Sequence, residues 1–328
     1  MSQAPWCLGI DTSNYTTSVA ACTAEGEHLS LRTPFDVKEG ARGVRQSDAV
    51  FLHTKELPAL VEQLMQQQGS PPAAVAVSDR PRDVEGSYMP CFLAGLSVAR
   101  SLAAALDVPL FRISHQRGHL LAALLGSRQA GEGGGLTERT DATLRLTAAP
   151  FYAFHVSGGT CDLLAAELTA NGEGEIRMIG TSADLHAGQL VDRCGVKIGL
   201  KFPCGPALEQ LSDAAEGRIP PMRFKPTDTL HLSGLENKFE ALLKDHPTKE
   251  AARWLLESLA NALRALTEAC VTQPRPLLLA GGVLSNRLLR ARLSEGRETL
   301  HTGHAYAADN ACGVAWYGAM RMGGLDDE

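Results

Sequence analysis

Two histidines one helical turn apart open the chemistry of this sequence. In Ser114-His115-Gln116-Arg117-Gly118-His119 the i, i+4 spacing sets both imidazoles on one face of a helix, at a separation that can chelate one divalent cation. The same spacing also occurs as two ordinary surface or core histidines, so a third ligand is needed to single out a metal site. Asp309 is the candidate: it is the lone carboxylate in the small, apolar run Tyr306-Ala-Ala-Asp309-Asn-Ala-Cys-Gly, where its other reading is a helix N-cap. Two nitrogens, one oxygen and open positions suit Fe(II) or Zn(II). A zinc-protease reading fails on one residue, because the general base of HExxH would stand where this chain has Gln116.

A second chemistry is anion binding. Ser157-Gly158-Gly159-Thr160 lies between two apolar runs, where backbone without side chains can approach a phosphate and offer it N–H groups; a plain tight turn is the alternative. Asp11-Thr12-Ser13 supplies a carboxylate and hydroxyls from a comparable place earlier in the chain. Ala280-Gly281-Gly282-Val283 follows an apolar strand and precedes a helix that includes Asn286, a place for a nucleotide base or ribose or simply a compact strand-to-helix turn.

These groups need elements to hold them. Residues 6–22 read as a hairpin, two apolar arms around a polar turn at 11–17, and residues 151–167 repeat the pattern about one domain length later. The recurrence predicts two copies of one fold facing each other. Helical periodicity marks 53–67, 95–106, a segment from about 114, 187–199, 250–271 and 286–293, and strands are expected at 73–77, 108–113 and 276–280. The alternation predicts an α/β architecture. Residues 126–147, with Gly131, Gly133, Gly134 and Gly135 among charges, form the expected linker. Domains follow at 1–125 and 148–302, the first completed by 303–328, which would bring Asp309 back to His115 and His119.

Composition bounds the function classes. The chain has 328 residues, 44% hydrophobic and 21% charged, enough to bury two cores and too apolar for a disordered chain. Its most aliphatic stretch, 97–110, is broken by Arg100 and Asp107, so no membrane span is expected, and the start lacks the basic and apolar regions of a secretory signal. A cytoplasmic location follows, with the eight scattered cysteines as reduced, mostly buried thiols. With 31 Lys+Arg against 37 Asp+Glu, the net charge of -6 provides no broad field for nucleic acid. Any RNA contact must be local or supplied by a partner. The nearest local patch is Arg80 and Arg82 beside Tyr88, unless those arginines pair with Asp79, Asp83 and Glu85.

A hydroxyl-rich hairpin, an SGGT hairpin and an AGG turn, spread over a duplicated α/β fold, match the layout of the actin, hexokinase and Hsp70-type ATPase superfold, two RNase H-like domains with a nucleotide cleft between them. The motifs narrow this further. Leu8-Gly-Ile-Asp11-Thr-Ser13, Ser114-His-Gln-Arg-Gly-His119, Val156-Ser-Gly-Gly-Thr160, Ala187-Gly-Gln-Leu-Val-Asp192, Leu200-Lys-Phe-Pro-Cys-Gly205-Pro206, Leu232-Ser-Gly-Leu235, Ala280-Gly-Gly-Val-Leu-Ser-Asn286 and Ala308-Asp309-Asn-Ala311 together resemble the bacterial TsaD family, formerly named O-sialoglycoprotein endopeptidase. The resemblance runs in order from about residue 7 to 320.

What the resemblance implies is specific. The metal, Fe(2+) or Zn(2+), falls on His115, His119 and Asp309. An adenine nucleotide, ATP or threonylcarbamoyl-AMP, falls on His155, Val156, Ser157, Gly158 and Gly159, with Asp192, Gly205 and Asn286. The implied reaction moves the threonylcarbamoyl group from its adenylate to the N6 amine of an anticodon-loop adenosine in tRNA, with Asp11 as proton acceptor or partner of a metal-bound water. Implied partners are tRNA, bound weakly by the chain alone, TsaB-like and TsaE-like proteins, and an actin-like paralogue as a possible dimer. Three departures stand out. Asn14-Tyr15-Thr16 replaces the acids of the usual GIETSCDET opening, the charged segment 79–90 replaces a GPG loop, and His186 occupies a usually small position. They keep two alternatives open: a divergent nucleotide- and metal-binding regulatory scaffold, and a small-molecule ATP-dependent transferase.

Overall fold

The computed structural model describes residues 4–13, 15–35, 44–129, 149–302, 304–307 and 311–322. One sheet joins β1 (Trp6–Ser13), β2 (Thr16–Thr23), β3 (His28–Pro34), β4 (Ala74–Arg80) and β5 (Leu110–Ser114) in the order β3-β2-β1-β4-β5. The other joins β6 (Phe151–Val156), β7 (Cys161–Leu168), β8 (Gly174–Ser182), β9 (Thr229–Leu230), β10 (Leu277–Ala280) and β11 (Thr299–His301) in the order β11-β10-β6-β7-β8-β9. Strands β8-β7-β6-β10-β11 of the second sheet repeat the order of the first, antiparallel through the hairpin and parallel beyond it, and β9 is an addition. The duplicated α/β superfold expected from the two hairpins is therefore the one observed.

Helices α1 (Gln46–Gln68) and α2 (Phe92–Leu106) cover the outer face of the first sheet. Helices α4 (Ala187–Lys197), α5 (Gly205–Asp213), α6 (Ser233–Leu242), α7 (Thr248–Cys270) and α8 (Arg287–Leu293) gather on the outer face of the second. Between the sheets lie α3 (His115–Gln129) and α10 (Cys312–Met322), with the short α9 (His304–Ala307) between β11 and α10. The inner core they form takes side chains from both sheets at once: Cys7 and Ala76 from the first, Phe151, Ala153 and Leu278 from the second, and Leu120, Leu124 and Trp316 from the two helices. Gly118 would cost α3 about 1 kcal/mol relative to alanine. It lets Val314 of α10 pack against the α3 backbone, while α3 buries Leu120, Leu121, Leu124 and Leu125, each worth about 1.5–3 kcal/mol, so packing decides.

Two expectations change. The first hairpin does not turn through 11–17: its ladder continues from Asp11↔Ser18 to Ser13↔Thr16, and Asp11, Thr12, Ser13 and Thr17 are buried strand residues. Their polar groups find partners inside the protein, so no exposed turn is needed. The expected linker 126–147 begins as helix, because α3 continues through Gln129 and Thr302 and Tyr306 pack against Gly126; residues 130–147 lie outside the described residues. No disulfide joins the described cysteines, and seven of the eight are buried. Among the described residues no helix is long and apolar enough to cross a membrane.

Candidate active site

Strand periodicity aims the site. In β1, Trp6, Leu8 and Ile10 join the outer core, so Cys7, Gly9 and Asp11 face the inner layer; in β6, Tyr152, Phe154 and Val156 face outward, and Phe151, Ala153 and His155 face inward. Asp11 and His155 thus point from opposite sheets at the N-terminus of α3, which carries His115 and His119. His115 Nδ1 lies 3.0 Å from Asp11 Oδ1, and the Nε2 atoms of His115 and His119 lie 3.0 Å apart. With Nδ1–H donating to the carboxylate, the Nε2 lone pair of His115 faces His119, the tautomer that a metal-ligating histidine held by a carboxylate adopts.

Asp11 has no solvent exposure. Burial alone would raise its pKa, but the electrostatic effect of the neighbouring His115 and the hydrogen bonds from His115, Ser13 and Ser78 outweigh it and hold the carboxyl below the usual range. Ser13 Oγ donates to Oδ2 at 2.7 Å, and Ser78 Oγ donates to Oδ1. Asp11, expected as a proton acceptor or partner of a metal-bound water, stands behind His115 with both oxygens engaged in hydrogen bonds.

His155 is 1% exposed, and neither of its ring nitrogens has a hydrogen-bond partner. Its ring centroid is 4.5 Å from that of His119 and 6.2 Å from that of His115, and one nitrogen from each of the three rings lies within 4.8 Å of the others. Burial first, then the neighbouring His119, His115 and Arg82, hold its pKa well below the ordinary imidazole value, so the ring is neutral and its lone pair available. An unsatisfied buried imidazole beside two others fits a cation with nitrogen preference. Asp309 lies outside the described residues.

Asp162, opposite His155 in the β6–β7 register, is fully buried and closes the cluster on the side of the second sheet. It accepts from Arg82 Nε at 2.9 Å, Gln116 Nε2 at 3.2 Å and Thr181 Oγ1 at 2.7 Å. Gln116, at the place of a protease base, is therefore a tie between α3 and the second sheet. Arg117 adds another, donating to Asp83 at 3.0 Å and to the carbonyls of Gly172 at 2.7 Å and Gly174 at 2.8 Å. Arg80 pairs with Asp79 at 2.7 Å and Asp83 at 3.1 Å. The expected RNA patch of Arg80 and Arg82 is thus internal pairing, with Arg82 reaching Asp162 rather than the nearby Glu85.

Ser157 follows His155 by two residues and opens the tight turn in which Ser157 N–H donates to Thr160 O at 2.8 Å. Two neighbours press on this turn through glycine. Gly188 of α4 lies against Ser157 and Gly158, and Gly281, at φ +97°, lies against the Val156 carbonyl where a side chain would collide. The positions where side chains would grow from Gly158, Gly205 and Gly282 are open. Val156 itself is a fully buried core residue, so only its backbone faces the turn. Asp192 accepts the Cys204 N–H at 2.8 Å just before α5, and burial raises its pKa against that bond. Asn286 caps α8, its Oδ1 accepting Leu289 N–H at 3.0 Å. Arg287 bridges to Glu209 at 3.1 Å, which ties the start of α8 to the middle of α5. His186 precedes α4, with its Nδ1 2.9 Å from Ser182 Oγ.

The sequence grouped His155 with the nucleotide and gave no pairing between Arg82 and Asp162. Counting alternate residues along β6 puts His155 on the same face as Phe151 and Ala153, but with both faces buried nothing in the sequence says that this face meets α3.

The family described as TsaD, tRNA N6-adenosine threonylcarbamoyltransferase, matches residues 32–316. A tRNA N6-adenosine threonylcarbamoyltransferase of Granulibacter bethesdensis is 30% identical over 348 aligned residues, covering 96% of this chain and 88% of the relative. A protein of the same description from Methanopyrus kandleri is 28% identical over 325 residues, covering 96% and 87%. Among solved structures, component A of (R)-2-hydroxyglutaryl-CoA dehydratase from Acidaminococcus fermentans superimposes with a TM-score of 0.57 at 14% identity, over 98% of this chain and all of the other, a likeness of fold alone. With the match running through both halves of the duplicated fold, the chain belongs to the TsaD family of tRNA N6-adenosine threonylcarbamoyltransferases, an acyltransferase family acting on tRNA.

Proposed function

We propose that this chain transfers a threonylcarbamoyl group from threonylcarbamoyl-AMP to the N6 amine of an anticodon-loop adenosine of tRNA, at the corner where α3 meets the Ser157–Thr160 turn. The observation that carries the reading beyond family membership is adjacency: His155, the β6 member of the imidazole cluster, lies two residues before Ser157, which opens the glycine turn at the end of that strand. In the reaction the N6 nitrogen bonds to the carbamoyl carbon, the bond from that carbon to the phosphate oxygen breaks, AMP leaves with the electron pair, and the N6 proton passes to solvent. Ser157, Gly158 and Gly159 offer backbone N–H groups to the phosphate, where fixed donors stabilise the charge that grows on the leaving oxygen. Asp192, Gly205 and Asn286, on the α4, α5 and α8 side, receive the nucleoside. His115 and His119, with Asp309 as the carboxylate expected from the sequence, hold a divalent metal, Fe(2+) or Zn(2+). When bound, that metal supplies Lewis acidity toward the carbamoyl carbonyl. Asp11 fixes the ring of His115. TsaB-like and TsaE-like partners complete the system, and the work is cytoplasmic.

Mass spectrometry of tRNA nucleosides tests this in a strain that relies on this chain alone among family members. The modified adenosine should be present with the parent and absent with the His115→Ala, His119→Ala double variant. Unmodified tRNA in a strain that makes normal amounts of the folded parent would overturn the assignment and leave the scaffold reading.

A further inference from the structure

Two aromatic rings from opposite halves of the chain meet beside the site. Tyr15 sits in the turn that joins β1 to β2, two residues beyond the Ser13 whose hydroxyl donates to Asp11. Phe202 precedes Cys204 and Gly205 in the loop that leads to α5, where the Cys204 N–H donates to Asp192. Their ring centroids are 6.4 Å apart with the planes at 61°, the edge-to-face arrangement that aromatic pairs favour. Phe202 is 45% exposed and Tyr15 half-buried, so the contact leaves ring surface open to solvent. Among the described residues neither ring packs into one of the apolar cores. Tyr15 also stands among the residues that replace the acids of the usual opening, so this chain presents a ring where the family presents charge.

We propose that Tyr15 and Phe202 form the stacking site for the acceptor adenine, a substrate-positioning pair to which each half of the chain contributes one ring. The proposal rests on the reading of the chain as a transferase that modifies tRNA. For its N6 nitrogen to reach the carbamoyl carbon, the acceptor base must leave the stack of its neighbours in the RNA loop, and that loss of stacking has to be offset in the protein. Phosphate contacts are a poor source, because the net charge is -6 and Arg80, Arg82 and Arg117 are held by carboxylates. An aromatic face replaces the lost stacking directly and needs no charge. The adenine of the donor nucleotide is the other base that could stack here. The residues read as receiving that nucleoside, Asp192, Gly205 and Asn286, all belong to the second half, whereas Tyr15 belongs to the first. The pair therefore faces the side from which the acceptor arrives.

The test measures binding of two anticodon stem-loop RNAs to the full chain at low salt, one with the acceptor adenosine and one with an abasic residue in its place. The parent should bind the abasic RNA about 5- to 150-fold more weakly, the factor to which base–aromatic stacking of about 1–3 kcal/mol converts. In the Tyr15→Leu, Phe202→Leu double variant, which keeps apolar bulk and loses both π-faces, the two RNAs should bind alike. The Tyr15→Phe, Phe202→Tyr variant should restore the preference. Phe202→Leu alone, at an exposed position, should unfold at the parent's temperature and already reduce the preference, which separates the effect from a loss of fold. No charge is removed in any of these variants, so the salt slope of RNA binding and the affinity for AMP should stay at the parent's values. If the abasic penalty is the same in parent and leucine variants, or if the parent binds both RNAs alike or neither measurably, the rings do not hold the acceptor base. If the leucine variants lose AMP affinity and keep the abasic penalty, the rings hold the donor nucleotide and the proposal is overturned. In each of these cases modified adenosine in tRNA made by the parent leaves the transferase reading standing, whereas unmodified tRNA removes both.

Discussion

The carboxylate of Asp11 acts on two imidazoles, His115 by a direct hydrogen bond and the buried His53 from further away. His115 donates to it directly, so ring and carboxylate are bound as a pair. His53 is fully buried on α1, with Nδ1 2.8 Å from Thr17 Oγ1 and no hydrogen-bond partner on Nε2. Burial pulls its pKa down, the more distant charge of Asp11 pushes it up, and burial wins, leaving the value at about 4. The sign follows from proton counting. Between about 6.5 and about 4 the unfolded chain carries a proton on this histidine and the folded chain does not, so stability is complete above that window and is lost as pH falls through it. Integrated from pH 7 to pH 5, the loss is about 2 kcal/mol. Urea unfolding at the two pH values should show the parent losing about that much more than His53→Gln, which cannot titrate. Parallel losses in the two proteins would mean that folded His53 keeps its ordinary proton affinity.

At the scale of elements, the site exists because two helices cross closely between two sheets. Gly313 of α10 lies so near α3 that a Cβ there would collide with the Gly118 carbonyl and the Ala122 amide nitrogen. Two effects of Gly313→Ala oppose each other: helix propensity would stabilise by up to about 1 kcal/mol, whereas overpacking against rigid backbone costs typically 1–3 kcal/mol or more. The steric term is larger, so the variant should be destabilised and its metal affinity lowered, because α3 carries His115 and His119. An increase in stability would show that the helices can part without cost. Much of this layer was legible in the sequence. The two hairpins were visible as paired apolar arms, and α3 was placed from its histidines and the strand before it. The facing of the strands was not legible, because β1 and β6 are buried on both faces and show no alternation of polar with apolar residues. Only the placement of α3 between the sheets tells that Asp11 and His155 look at each other across it. The long reach from Arg82 to Asp162 was equally hidden, since nothing local distinguishes an arginine paired with its neighbours from one paired 80 residues away.

For the whole molecule, the decisive quantity is how much positive charge remains for RNA. The net charge is -6, and the arginines nearest the site are occupied: Arg82 with Asp162, Arg117 with Asp83, Arg80 with Asp79 and Asp83, and Arg112 with Asp79. Phosphate binding gains its free energy by releasing counterions from arginine and lysine contacts, and a guanidinium already held by a buried carboxylate has little left to offer. The chain alone should therefore bind tRNA weakly, with an affinity that falls as salt rises. Replacing Arg80 and Arg82 with alanine separates this account from an RNA-contact role. Arg82 is partly exposed, but its partner Asp162 is not, so removing it deprives a buried carboxylate of its charged donor and should cost about 1.5–3 kcal/mol of stability, the range for a hydrogen bond to a charged group. In the double variant, chemical unfolding should move by about that amount, while tRNA affinity and its salt slope stay at the parent's values at temperatures where both proteins are folded. The opposite pattern, unchanged stability with a shallower salt slope, would return these arginines to the RNA surface and would mean that the bond to Asp162 opens when tRNA binds.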